Sequence, residues 1–460
     1  MRRAAVHPAA WLLGSTRTGV IRQGVLVLLA GCASLLAGCA TYHSKPLPTR
    51  PDLARAPALA VPASDLGVPG LEPEQLDPAK GLTQVNVVTL AVLENPQLKA
   101  ARLQAGIARA QLLQAGLLPD PQLSGALLKS SFLTGYSATL AEDIRALITR
   151  GAAQDAASAH LKQVNLEILW REWQVAERAR ELFIEIRALA RLRRVLNRRR
   201  ELLGRVYRQD EASLKRRYVT VSDITADFIA WNSAEMQWRA FELQDNRTRH
   251  ELDSLLGLTP DARPRLRGSP SEPLVSRAQY RSALAALPHR RPDLLALQAG
   301  YHSAQERLRE AILAQFPLIE AGVVKNRDPQ DGVQSIGFNV TLALPIFNRD
   351  RGPIAVGRAS RAYLHQAYQA DLDSTVSQAD QVWNAILIMR HQLARLHRRL
   401  ARLDRAAAAA KESLGRGTFT LTDYASVDSS ALATRAEEIQ LRSSLAQAQA
   451  VLAMLLALPF

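Results

Sequence analysis

Thr220-Val221-Ser222-Asp223 and Thr420-Leu421-Thr422-Asp423 share one form, Thr-x-x-Asp, and stand 200 positions apart. In this spacing a threonine hydroxyl and an aspartate three residues on can satisfy the orphan N–H groups of a helix start. Two clusters of arginine precede them by about a fifth of a hundred residues in each case: Arg198, Arg199 and Arg200, then Arg398, Arg399 and Arg402. Such runs form either a solvated helix face or a basic belt that attracts an acidic partner or anionic cargo. Metal chemistry needs clustered ligands. The nine histidines are scattered, with His391 and His397 six apart and off a common helical face, so no metal site is predicted. No phosphate-binding glycine loop and no GxSxG nucleophile motif occurs. The chain is not expected to be an enzyme or to need a cofactor.

The two cysteines, Cys32 and Cys39, lie near the start. Seven residues apart they suggest a disulfide or a metal pair, but their setting points to lipid chemistry. Arg2, Arg3, Arg17 and Arg22 form a positive region without an acidic residue, and an apolar stretch follows from Gly24 to Leu36. That is a signal-peptide core, too short to span a bilayer. It ends in Leu36-Ala37-Gly38-Cys39, which resembles a bacterial lipobox. Cys39 would then begin the mature chain, with diacylglycerol on its thiol and an acyl chain such as palmitate on its amine. Leu29-Ala30-Gly31-Cys32 is a second match; Cys39 is preferred because cleavage at Cys32 leaves a shorter apolar core. Several acyl chains at ~0.8 kcal/mol per buried CH₂ make a durable anchor. Ala40, not aspartate, follows, which by the familiar sorting rule implies the outer membrane.

The formal charge of +15 raises the question of nucleic acid. No homeodomain, zinc-finger or RNA-recognition pattern accompanies it, and no nucleic-acid partner is expected.

The elements that position these residues repeat. Ser213 to Asp223 reads SLKRRYVTVSD and Ser413 to Asp423 reads SLGRGTFTLTD. Asn95-Pro96 pairs with Arg291-Pro292, Leu118-Pro119 with Phe316-Pro317, and Leu255 to Leu258 with Leu455 to Leu458. The order of landmarks is the same in both halves, so the chain is a tandem duplication. Five regions follow: a lipoprotein signal peptide (1–38), a proline-rich anchored leader (39–83), a first repeat (84–262), a connector (263–290) and a second repeat (291–460).

Each repeat has one plan. A first helix runs from about Gln84 to Leu117, and its counterpart from Pro292 to Gln315. Two strands follow: Gln122–Lys129 and Tyr136–Ala141 in the first half, then a strand starting at Leu318 and the alternating run Ile336 to Leu344. Apolar residues at every second position over such a length fit a tilted membrane-spanning strand. A long helix then extends from Ala152 to about Arg216, and from Pro353 to about Leu414. Leu161, Ile168, Val175, Leu182, Leu189, Leu196 and Leu203 are strictly seven apart, the spacing of coiled-coil packing. A returning helix closes each unit. The fold class is mainly α with a small β part.

Four strands cannot close a barrel, and open edges are not tolerated in lipid. The duplicated helix–hairpin–helix units, the lipobox and the run Leu344-Pro345-Ile346-Phe347-Asn348-Arg349-Asp350-Arg351-Gly352 together resemble the TolC family of outer-membrane efflux proteins. The wording is nearest to its CzcC-like heavy-metal branch. The resemblance implies a homotrimer with a twelve-stranded barrel in outer-membrane lipid and a helical barrel across the periplasm. It implies a passive duct for metal cations or small toxic organics, with a periplasmic adaptor and an inner-membrane RND-type pump as partners. It places Thr220, Ser222, Asp223, Thr420, Thr422 and Asp423 at the periplasmic tip, where gating and adaptor contact occur, and leaves open whether the arginine belt faces lumen or solvent. The competing reading is a lipid-anchored periplasmic adaptor, although no flanking β-rich domain is evident. One departure stands out. Ala141-Glu142-Asp143-Ile144-Arg145 replaces the apolar Ala343 to Phe347, which implies that the first hairpin leaves the sheet early or shifts register.

Overall fold

The computed structural model describes residues 42–56, 81–129, 134–271 and 274–458. Cys32, Cys39 and residues 1–38 lie outside the described residues, as does most of the leader. The chain divides into Met1–Asp52 and Leu53–Phe460. In the first unit the described residues are exposed and carry no helix or strand. The second unit holds the elements below.

The first repeat begins with α1 (Gln84–Glu94) and α2 (Pro96–Gly116). The expected single helix is therefore broken. Pro96 has no N–H to donate and suits a first helical position, while the Asn95 side chain accepts from Leu98 N at 3.0 Å and caps α2. Strands β1 (Gln122–Lys129) and β2 (Thr134–Asp143) follow, then α3 (Ile144–Lys215) and the returning α4 (Val221–Leu255). The second repeat has α6 (Pro292–Leu313), β3 (Leu318–Arg327), β4 (Gln334–Ala343), α7 (Arg351–Gly415) and α8 (Leu421–Leu455). Before it lies α5 (Arg277–Arg290), within the segment expected to be a connector. It ends at Arg291-Pro292 as α1 ends at Asn95-Pro96, so it is the counterpart of α1.

At 1.5 Å per residue the 72 residues of α3 span roughly 108 Å and the 65 of α7 roughly 98 Å. Most of their stability comes from packing along the heptad face. Ile168, Leu182, Leu189, Leu196 and Leu203 of α3 are all buried. Near the hairpin end of the helices, α3 packs between α2 and α6, and α7 beside α6; further along, α3 lies between α4 and α8, with α7 beyond α8. One core joins Leu82, Leu90, Leu182, Phe183 and Leu252, and its counterpart joins Val275, Tyr280, Ile386 and Leu452. Fully burying each large side chain contributes about 1.5–3 kcal/mol.

The four strands form one antiparallel sheet in the order β1-β2-β3-β4. The expected early exit of the first hairpin does not occur. β2 continues past Ala141, pairing Glu142 with Ala321 and Asp143 with Glu320. Asp143 then accepts from Arg145 N at 2.9 Å, so the acidic residues end the strand by capping α3. Apart from this sheet, Ala54 and Leu82 form isolated parallel bridges to Leu258 and Leu266.

Candidate functional site

Directly paired residues of an antiparallel sheet share a face. Leu123, Leu140, Val323 and Phe338 are paired in succession across all four strands. This row is apolar and exposed, with Phe338 at 89%. Ile336, Val340 and Leu342 extend it along β4, also exposed. The opposite face carries Ser137, Thr139, Asn326, Ser335, Asn339 and Thr341, as the same register requires. One face suits lipid and the other water, the arrangement of a channel wall. No described helix is long and apolar enough to cross a membrane. The outer edges, β1 and β4, have no partner strand among the described residues.

At the far ends of the helices the two Thr-x-x-Asp motifs make reciprocal caps. Thr220 N donates to Asp223 Oδ2 at 2.9 Å while Asp223 N donates to Thr220 Oγ1 at 3.3 Å. Thr420 and Asp423 repeat this at 2.9 and 3.1 Å. Hydrogen bonds from Thr220 and Thr420 hold the Asp223 and Asp423 carboxyls below the usual carboxylate range. Both aspartates and Ser222 are exposed. Thr422 is exposed too, and its hydroxyl donates to Asp210 Oδ2 at 3.5 Å.

Each tip turn is also closed from the side of the incoming helix. Tyr218 N donates to Ser213 O and Arg217 N to Leu214 O; Thr418 N and Gly417 N do the same toward Ser413 and Leu414. These are Schellman closures, which need a left-handed residue. Gly417 supplies it at φ +76°, and Arg217 adopts it at φ +62°.

The arginines predicted to form a belt are not equivalent. Arg198 Nη2 donates to Asp428 Oδ2 at 3.0 Å, tying α3 to α8. Burial opposes its charge, but Asp428 and Tyr424 outweigh that and raise its pKa. Arg199 Nη1 donates to Gln237 at 2.6 Å, and burial lowers its pKa. Arg200 lies over the Trp238 ring at 4.6 Å. Arg398, Arg399 and Arg402 are exposed and have no ion-pair partner among the described residues of the protomer. The first three are thus engaged in helix packing, and the last three present charge.

A carboxyl pair went unread in the sequence. Asp210 of α3 is buried, and Asp227, on the facing helix α4, is half-buried. Burial, the Asp210 hydrogen bond and the charges of Asp210 and Asp223 push Asp227 up to about 6. No group of three or more His, Cys, Asp or Glu side chains placed to hold a metal occurs among the described residues.

Residues 283–458 match the family model described as outer membrane efflux protein. No curated protein matches the chain. Among solved structures, a membrane protein from Pseudomonas aeruginosa is 16% identical, with a TM-score of 0.68 over 91% of this chain and 97% of that one. The outer membrane protein VceC from Vibrio cholerae is 16% identical, at 0.66 over 82% and 96%. The CmeC outer membrane channel of Campylobacter jejuni is 15% identical, at 0.67 over 88% and 94%.

Proposed function

From a chain that carries an outer membrane efflux protein domain and the fold of the TolC-like channels, we propose that three copies form a passive export duct through the outer membrane. The chain is a transport component and not an enzyme. The observation that carries the reading is the sheet, which among the described residues has four strands, one exposed apolar face and two unpaired edges. An open edge in lipid leaves backbone groups unsatisfied at several kcal/mol each. Pooling the strands of three protomers removes every edge and gives a twelve-stranded wall.

The helices support the same closure. β4 and α7 form one flank of the protomer, and β1, α2 and α4 the other. On α4, Ile229, Met236 and Leu243 are seven apart and exposed at 62%, 57% and 74%. On α7, Ala394, Ala401 and Ala408 are seven apart and exposed. A large stripe against a small one makes an antiparallel seam between neighbouring copies, as knobs enter holes.

In this assembly Asp223 and Asp423 of three copies form a ring of carboxylates at the periplasmic tip, which draws cations toward the entrance. The exposed Arg398 and Arg399 receive acidic surface from an adaptor, and an inner-membrane RND-type pump supplies the energy. Cys39 anchors the chain in lipid. The cargo is metal cations or small toxic organics; profiling a deletion strain against both classes identifies which.

Outer-membrane fractionation, native mass and planar-bilayer recording test the reading together. A conducting trimer recovered from the outer membrane supports it. A monomer that remains water-soluble after removal of its acyl chains contradicts it.

A further inference from the structure

Charge is sorted along the sheet. The charged residues of its strands are Lys129, Glu142, Asp143, Glu320, Lys325 and Arg327. The carboxylates all stand at the strand ends next to the helices, where β2 runs into α3 and β3 follows α6. The cations all stand at the opposite ends, where β1 leads to β2 and β3 to β4. The register puts every one of these cations on the apolar face. Lys325 pairs with Ile336, Arg327 pairs with Tyr136, and Lys129 lies two residues beyond Leu127, which pairs with Tyr136. From the strand rise and spacing, Lys325 and Arg327 are about 7 Å apart along β3, and Lys129 is about 12 Å from Arg327 across the sheet.

Lys129 and Lys325 are exposed. None of the cations has an ion-pair partner among the described residues. Arg327 Nη2 lies beside Gly332, 3.7 Å from where a Cβ would stand, so the guanidinium reaches toward the turn and away from the apolar band. Its backbone is held close to β2: a Cβ on the buried Gly135 would come within 2.6 Å of Arg327 O. The turn carboxylates serve the turn itself. Asp328 accepts from Gln330 N at 2.7 Å and Asp331 from Val333 N at 3.0 Å. A lysine or arginine on a lipid-facing strand is costly at the bilayer midplane and tolerated where its head can reach the headgroups. Along β4 the apolar series Leu342, Val340, Phe338 and Ile336 ends beside Lys325. The cations therefore mark the level at which hydrocarbon gives way to headgroups, and cations at that level attract anionic lipid.

We propose that Lys129, Lys325 and Arg327 form a patch that binds the phosphates of a multiply phosphorylated lipid headgroup in the outer leaflet. Cations spread over about 12 Å suit a headgroup with two phosphates better than a single phosphodiester. The proposal rests on the reading of the apolar face as lipid-facing and adds the class of lipid that face takes.

The test uses the purified full-length protein in detergent and reads bound lipid by native mass. Bisphosphorylated lipid A should be retained at least about fivefold more than either dephosphorylated lipid A or phosphatidylglycerol. K129Q/K325Q/R327Q should lose at least about tenfold in that retention, and K129R/K325R/R327K, which keeps the charges, should preserve it. Inorganic phosphate at equal concentration should leave the lipid in place. Equal retention of bisphosphorylated lipid A and either comparison lipid overturns the proposal. That comparison needs no variant, so it decides even where the glutamine triple fails to fold. Unchanged retention in a folded glutamine triple, or displacement by inorganic phosphate, overturns it as well. Conductance in bilayers of phosphatidylethanolamine tests the duct separately. Lipid preference without conductance leaves the patch standing and sinks the duct reading; conductance without lipid preference does the reverse.

Discussion

Asn95 closes the end of a helix 160 residues away: its Nδ2 donates to the carbonyl oxygen of Leu255 at 3.0 Å. The same side chain caps α2 through Leu98 N. In the second repeat Arg291 takes the position, reaching Leu455 O at 3.4 Å while gripping Asp293 at 2.7 Å and lying 4.6 Å over Trp170. Two unlike side chains thus perform one task, tying the end of the returning helix to the start of α2 in the first repeat and of α6 in the second. Asn95→Ala removes both a cap and a buried partner. It should cost about 2 kcal/mol, read as a lowered denaturation midpoint of the protein in detergent. A loss below about 0.5 kcal/mol would contradict this role.

Arg217 holds a backbone conformation that Gly417 adopts without a side-chain penalty. Arg217→Gly should therefore stabilise the first tip by roughly 1 kcal/mol, and Gly417→Ala should destabilise the second by a similar amount. Local hydrogen exchange at each turn separates the two effects. If both substitutions move protection in the same direction, the equivalence of the turns is wrong.

Thr220→Ala and Thr420→Ala remove the hydroxyls that hold Asp223 and Asp423 in their caps. The aspartate pKa values are depressed in the folded protein. Their contribution is thus present above the unfolded carboxyl value and lost as pH falls through the depressed one. Each substitution should return its aspartate toward the ordinary range, measurable by carboxyl chemical shift during acid titration. Retention of the depressed value would show that another group holds it.

The two faces of the sheet should differ in tolerance. Phe338→Arg puts charge on the exposed apolar face, at about 2–4 kcal/mol if it lies near the bilayer midplane. Asn339→Arg puts it on the polar face, where water can solvate it. Yield of outer-membrane protein should fall sharply for the first and little for the second. Equal losses would argue against a lipid-facing side.

Much of this was legible in the sequence because the chain states its plan twice. Heptads marked α3, and strict alternation marked β4. Other boundaries are written in short local signals. Asn95-Pro96 was a helix break, and Ser276-x-x-Gln279 was a readable start for α5, where Gln279 N donates to Ser276 Oγ at 3.2 Å. Glu142 and Asp143 lack strand character by type, but pairing with β3 carries them into the sheet. Contacts between distant helices left no local trace. Nothing near Arg198 in the sequence announces Asp428, which lies 230 residues away. Asp210 and Asp227 stand out only when set beside Ala410 and Val427, 200 positions on.

In the proposed trimer neighbouring copies complete one another's sheet. Cysteines at the two open edges, Leu127→Cys on β1 and Val340→Cys on β4 in one chain, measure this directly. With a matched set of edge positions scanned along both strands, oxidation in the outer membrane should yield a reducible band of three linked chains for at least one pairing. Absence of any inter-copy linkage along the whole scan, or linkage that stops at two chains, would contradict the account.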